Sequence, residues 1–232
     1  MPDQKRKDGI VSAYIPIFLV VACLGLWLSL ATEQSQIVAK IRGASSGRIA
    51  FGYMRAQQIM ILNRFGVITY MLLLAFCIDL GVENWALLLV GLTTTFLVFS
   101  YNFFVLVRRK TVLRFDGEDS DLSLMKIVGS QSKWIFAASY AATVLNVLGL
   151  TMPLLLSNSF PAYRLTLANT SFLFNTFFTL ITVLFIERQF AIILDKEDRK
   201  GAFFFVATVF VSRQIALITL SLIFAVLFIY LG

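Results

Sequence analysis

The sequence contains no histidine. That removes the commonest proton shuttle and zinc ligand, and with them many membrane-embedded phosphatases and proteases. Charge is scarce as well: Asp, Glu, Lys and Arg make up 14% of the 232 residues, against about 25% in a soluble domain. The two cysteines, Cys23 and Cys77, both fall inside apolar runs, where they read as small core residues rather than as a disulfide. No Gly-rich loop ends in Lys-Ser or Lys-Thr, so there is no phosphate-cradling nucleotide site. No aspartate-rich motif of a metal–pyrophosphate enzyme is present either. No bound cofactor or metal is expected. The alternating segments of about ten residues that build an outer-membrane barrel are missing, and no internal repeat is visible.

What the chain has in abundance is apolar surface. Hydrophobic residues make up 59% of it, and the mean hydropathy is +0.83. A soluble fold of this size could not hide that much apolar area, so the solvent must be lipid. The expected architecture is an all-α polytopic integral membrane protein with six transmembrane helices (seven possible) and no soluble domain. About 20 apolar residues cross the hydrocarbon core, which places spans near 10–32, 46–80, 85–107, 134–156, 164–186 and 202–231. Together they make a single transmembrane domain. Lys5, Arg6 and Lys7 precede an apolar run too long for a signal-peptide core, so no cleaved leader is expected. Trp85 and Trp134 stand at span ends, as interface anchors do.

The segment 46–64 admits two readings. As a helix it gathers Arg48, Gly52, Arg55 and Asn63 within an arc of about 80°. This stripe fits a helix lying in the interface with its arginines on lipid phosphates. It equally fits the first half of one long second helix, with the stripe facing a wet cavity. The remaining basic residues set the orientation. Lys40, Arg42 and Arg48, then the segment from Arg108 to Lys133, then Arg188, Lys196, Arg199 and Lys200 all fall on one side if there are six spans. The net charge of +7 is therefore explained by loops on the cytoplasmic side rather than by nucleic-acid binding. Both termini lie outside in that arrangement. A seventh span would move the N-terminus inside and leave the later loops unchanged.

Few groups can carry chemistry. Arg213 lies about midway along the last span, where a charge costs roughly 3 kcal/mol or more. It needs an acidic partner, with Glu33 the leading candidate, or an anionic ligand. If the first helix continues past the apolar run, Glu33 sits about two turns inside Lys40 and within the bilayer. In the fifth span Ser171, Asn175, Thr179 and Thr182 share an arc of about 80°. That stripe reads as interhelical hydrogen-bond glue or as a cavity wall that meets sugar hydroxyls. Asp116, Glu118, Asp119 and Asp121 are flanked by Lys and Arg and read as a solvated loop.

The stretch from Glu33 to Arg64 resembles the N-terminal signature of the Amj family of lipid II flippases. Glu33, Lys40, Gly43, Gly47, Arg48, Ile49, Ala50 and Arg64 match its Glu, basic residue, Gly-Arg-Ile-Ala run and later arginine without a gap. Asn175 and Thr179, then Leu194-Asp195, and Ser212-Arg213 resemble further family positions in order. Glu187-Arg188 stands where the family has Asp-Pro, and Ser45-Ser46 stands where it has Arg-Thr. The resemblance implies a multi-pass protein of the bacterial cytoplasmic (inner) membrane. It would flip lipid II, or a related polyprenyl-linked saccharide, to the outer leaflet for cell-wall synthesis, alongside membrane lipids and cell-wall synthesis proteins. Glu33, Arg48, Arg55, Arg64, Asn175, Thr179 and Arg213 would then form the substrate-binding set. A non-transporting scaffold subunit of an envelope-synthesis complex is the alternative.

Overall fold

The computed structural model describes residues 2–108, 133–196 and 199–231. Among these residues every regular element is helical. The helices are α1 Pro2–Ser45, α2 Ile49–Asp79, α3 Asn84–Arg108, α4 Lys133–Ser159, α5 Arg164–Ile181, α6 Arg188–Asp195 and α7 Arg199–Leu231. A π-helical segment, Thr182–Glu187, joins α5 to α6. Among the described residues six stretches are long and apolar enough to cross a membrane: Tyr14–Lys40, Ala50–Asp79, Asn84–Phe103, Lys133–Ser159, Pro161–Ile193 and Phe204–Tyr230. The chain is a multi-pass helical membrane protein. The segment with the Asp116–Asp121 acidic cluster lies outside the described residues.

Two boundaries differ from those read off the sequence. The first helix does not stop near residue 32 but runs to Ser45. The polar residues Thr32, Glu33 and Gln34 that suggest an end are all buried, and a buried polar group inside the bundle need not break a helix. The fifth span continues through the π segment to Ile193. From Ile49 on, the ambiguous stretch 46–64 is the start of the single helix α2, which leaves six spans among the described residues rather than seven.

The tightest packing joins α1 to α2. Gly47, at φ 71°, and Gly81, at φ 78°, make the turns on either side of α2, where only glycine is unstrained. Along the pair, glycines let the backbones touch. A Cβ at Gly66 would lie 2.6 Å from the Gly25 carbonyl oxygen, and one at Gly52 would lie 2.6 Å from the Gly43 Cα. Lipid tails are as apolar as leucine, so helix association relies on such close van der Waals contact and on polar contacts rather than on the hydrophobic effect. Gly52 therefore serves this contact, and extra bulk there would separate the helices before it blocked any path.

Two apolar clusters stack along the bundle. One holds Leu26, Tyr70, Leu74, Leu87, Val147, Leu220 and Phe224, with the Tyr70 hydroxyl 3.0 Å from Thr151 Oγ1. The other holds Ile37, Ile135, Ile186, Phe190, Phe205 and Phe210, toward the end that carries the basic connections. Cys23 and Cys77 are both free. At the opposite end Arg164 pairs with Asp79 at 2.6 Å, and Trp85 Nε1 donates to Glu83 at 2.6 Å.

Candidate functional site

Between the apolar clusters lies a polar layer. Arg213, on α7, sits 3.4 Å from Glu33 Oε2, and each side chain is only 8% exposed. Glu33 Oε1 accepts a hydrogen bond from Asn146 Nδ2 on α4 at 2.7 Å and a longer one from Asn63 Nδ2 on α2 at 3.4 Å. Ser29, one turn before Glu33 on α1, donates to Asn63 Oδ1 at 2.9 Å. Four helices thus converge on one carboxylate. The Arg213 Nε–H is buried and has no partner among the described residues. A guanidinium has five donors, and Glu33 takes up only part of that capacity. This buried acid–base pair is the one the position of Arg213 had called for. Glu33 lies seven residues inside Lys40, about 10 Å along the helix, and Arg213 lies nine residues inside Phe204, about 13 Å.

The pair forms the inner wall of a cavity of about 530 Å³. Glu33 and Arg213 close it from the bundle side. Gln57, Asn63 and Arg64 line it from α2, and Asn175, Thr179 and Thr182 line it from the fifth span. Met60, Ile68, Leu150, Phe178, Val183 and Val209 add apolar wall, and Gln36, Tyr53 and Asn146 add further polar groups. The α2 helix packs on α1, and α5 packs on α4, so the two helices face each other across the cavity. The Gly149 position allows the α4–α5 contact: a Cβ there would lie 2.3 Å from Phe174 Cβ. Of the polar stripe of the fifth span, Asn175, Thr179 and Thr182 line this cavity and Ser171 does not. Thr179 Oγ1 bonds back to the Asn175 carbonyl at 2.8 Å, and Thr182 Oγ1 has no partner among the described residues. Arg64 is exposed and has no ion-pair partner among the described residues.

At the basic end the cavity is bounded by Lys40, whose Nζ is 2.5 Å from Glu187 Oε1. The same ammonium lies 5.3 Å over the Tyr53 ring and 5.7 Å over the Phe190 ring. This contact bridges α1 to the π-helical segment. π-Helical turns inside α-helices concentrate at functional sites.

Of the residues expected to bind substrate, the structure gathers Glu33, Arg64, Asn175, Thr179 and Arg213 around one cavity. It does not bring Arg48 and Arg55 there. These two line a separate pocket of about 640 Å³, with Gln34, Arg42, Tyr101 and Asn102. Glu33 therefore lines a different cavity from Arg48 and Arg55, which the resemblance puts with it in one substrate-binding set. The α1–α2 contact through Gly43 and Gly52 stands between them. Asn63, placed on that same stripe, instead reaches Glu33, because it is far enough along α2 to pass the glycine contact. Asn146 was not anticipated. Its signal was an asparagine in the middle of an apolar span, where an unpartnered amide is costly. The Lys40–Glu187 pair was not anticipated either, since each residue looked like an ordinary span end.

Comparison with protein-family models, with curated proteins and with solved structures found no match.

Proposed function

We propose that the chain is a lipid flippase that moves lipid II, the undecaprenyl-pyrophosphate-linked peptidoglycan precursor, or a related polyprenyl-linked saccharide, from the cytoplasmic to the outer leaflet of a bacterial cytoplasmic membrane. The proposal makes it a transporter rather than an enzyme, serving cell-wall synthesis. The observation that carries it is the half-used guanidinium of Arg213, buried at the inner wall of a membrane-embedded cavity. The physical task is to bring a polar, pyrophosphate-bearing headgroup through hydrocarbon that rejects it. Guanidinium groups suit phosphate oxygens because they present two parallel donors. Arg213 and Arg64 would hold the pyrophosphate. Asn175, Thr179 and Thr182 would meet sugar hydroxyls. The apolar walls between α2 and α5 would pass the prenyl tail, which need not leave the lipid. The resemblance of Glu33, Lys40, Gly43, Gly47, Arg48, Ile49, Ala50 and Arg64 to the Amj signature supports the choice of lipid II within this class.

In this reading Glu33 holds Arg213 when the cavity is empty and yields it when a pyrophosphate competes. That makes a two-state element biased by the ligand, which alternating access requires. The basic connections at the Lys40 end orient the bundle with that end in the cytoplasm.

A second reading is the non-transporting scaffold subunit, and the Glu33–Arg213 pair itself favours it, since a structural ion pair needs no ligand. Complementation of cells depleted of their lipid II flippase separates the two. The wild-type chain should rescue growth. Arg213→Ala should fail while still inserting and accumulating, and Arg213→Lys should rescue only in part, because an ammonium lacks the planar fork. Full rescue by Arg213→Ala would remove the ligand role. Failure of Arg213→Ala to accumulate would favour the structural pair.

A further inference from the structure

The pocket that holds Arg48 and Arg55 is left out of the proposed transport route. It opens on the other flank of α2, between α2 and α3, with α1 as its floor. The α3 helix packs on α7 and α1, and the crevice lies between it and α2. Its mouth carries Arg48 and Arg55, both exposed, together with Arg42. The Arg55 guanidinium lies 5.9 Å from the centre of the Phe51 ring, a second residue of the same crevice. The closed end is lined by Gln34 and Asn102, only 4% and 3% exposed. Asn102 Nδ2 donates to Gln214 Oε1 at 3.3 Å. The Gln34 amide oxygen is sealed from solvent and accepts no hydrogen bond from any described residue. A buried acceptor left unpaired is costly.

Gln34 follows Glu33 directly. One residue turns a helix by about 100°, so adjacent side chains of α1 serve two different cavities. Gln34 sits eight residues inside Arg42, about 12 Å along the helix. A ligand spanning the pocket must therefore offer anionic oxygens at the mouth and a hydrogen-bond donor deeper in.

We infer that this crevice is a second, separate binding site for a phosphate ester that carries free hydroxyls, the chemistry of a glycerophosphate headgroup. The phosphate lies between Arg48 and Arg55, and the Gln34 side chain turns into the crevice so that its amide oxygen accepts a hydrogen bond from a ligand hydroxyl. The ligand can come from the membrane, as phosphatidylglycerol, or from the aqueous phase, as a soluble glycerol phosphate. The site stands independently of the transport proposal, because Arg213 takes no part in it.

The test uses the full chain in nanodiscs of phosphatidylcholine with one part in five phosphatidylglycerol, read by native mass spectrometry of retained lipid. A parallel arm uses nanodiscs of phosphatidylcholine alone, titrated with glycerol 3-phosphate. Wild type should retain phosphatidylglycerol over phosphatidylcholine, and Arg48→Gln with Arg55→Gln should reduce that preference at least fivefold. Arg188→Gln together with Lys196→Gln, which removes the same charge outside the crevice, should leave it intact, as should Arg213→Ala. Gln34→Leu should also lose the preference while keeping or raising the thermal stability of the lipid-free protein, since the unpaired acceptor is gone. Binding of glycerol 3-phosphate with the same variant pattern assigns the soluble source. Equal losses from the Arg188/Lys196 control and the crevice variants would show bulk charge attraction and overturn the site. So would retention indifferent to Gln34.

Discussion

Glu33→Gln is the perturbation whose outcome the geometry constrains most. At 3.4 Å and an effective dielectric near 20, the Glu33–Arg213 attraction is about 5 kcal/mol. Desolvation offsets much of that in the intact pair, but removing one partner strands the other. Breaking a buried pair costs about 3–5 kcal/mol. Glutamine keeps the size of the side chain and an acceptor for Asn146, so the loss falls chiefly on Arg213. For a chain of this length each kcal/mol moves the melting temperature by about 2–4 °C, so the variant should melt about 10 °C below wild type in detergent. The double replacement Glu33→Gln/Arg213→Gln removes both charges and should recover most of that difference. If Arg213 is meant for a pyrophosphate, the ligand should also restore what glutamine took away. Undecaprenyl pyrophosphate should raise the melting temperature of Glu33→Gln by more than that of wild type, and should leave the double variant unmoved. A Glu33→Gln variant that melts with wild type, or a double variant that melts no higher than Glu33→Gln, would show that no stranded charge governs stability at this pair. An equal ligand shift in all three proteins would detach the pair from substrate binding.

Two further outcomes follow from the fold. Cysteines placed in a Cys23→Ser/Cys77→Ala background should report the orientation: Tyr163→Cys should label from outside intact cells with a membrane-impermeant maleimide, and Ser46→Cys should not; the reverse pattern would invert the topology. Gly66→Leu should prevent stable folding and lower the yield of monodisperse protein severely, because its side chain would have to occupy the space of the Gly25 carbonyl. Normal yield and melting behaviour would show that the α1–α2 contact is not the close one described.

The membrane class, the six spans and their order were legible because apolar run length is a direct readout of span number. The Glu33–Arg213 pair was legible for a related reason: a charge in a span must find a partner, and the chain offers few. What the sequence could not give was rotation of one helix against another. Arg48 and Arg55 share an arc with Asn63 on an isolated helix, and nothing in that periodicity says that Gly43 and Gly52 will meet and divide the stripe between two cavities. Glycine in an apolar span carries no sign of which partner it touches. The same gap hid the Lys40–Glu187 contact, since it depends on how far α1 and the π-helical segment extend past their apolar runs. Helix ends were misjudged where polar residues are buried by neighbours, as at Thr32 and Glu33, because solvation and burial in a polar layer leave the same local pattern.

The central claim is that a lipid-linked pyrophosphate crosses the bilayer by way of Arg213. Reconstitution of the purified chain into liposomes holding fluorescent lipid II, with outer-leaflet accessibility followed over time, tests this most directly. The probe should equilibrate between leaflets in a protein-dependent way, and Arg213→Ala at equal incorporation should reduce this to the rate of protein-free liposomes. Equilibration no faster than in protein-free liposomes, or an Arg213→Ala rate equal to wild type, would contradict that claim.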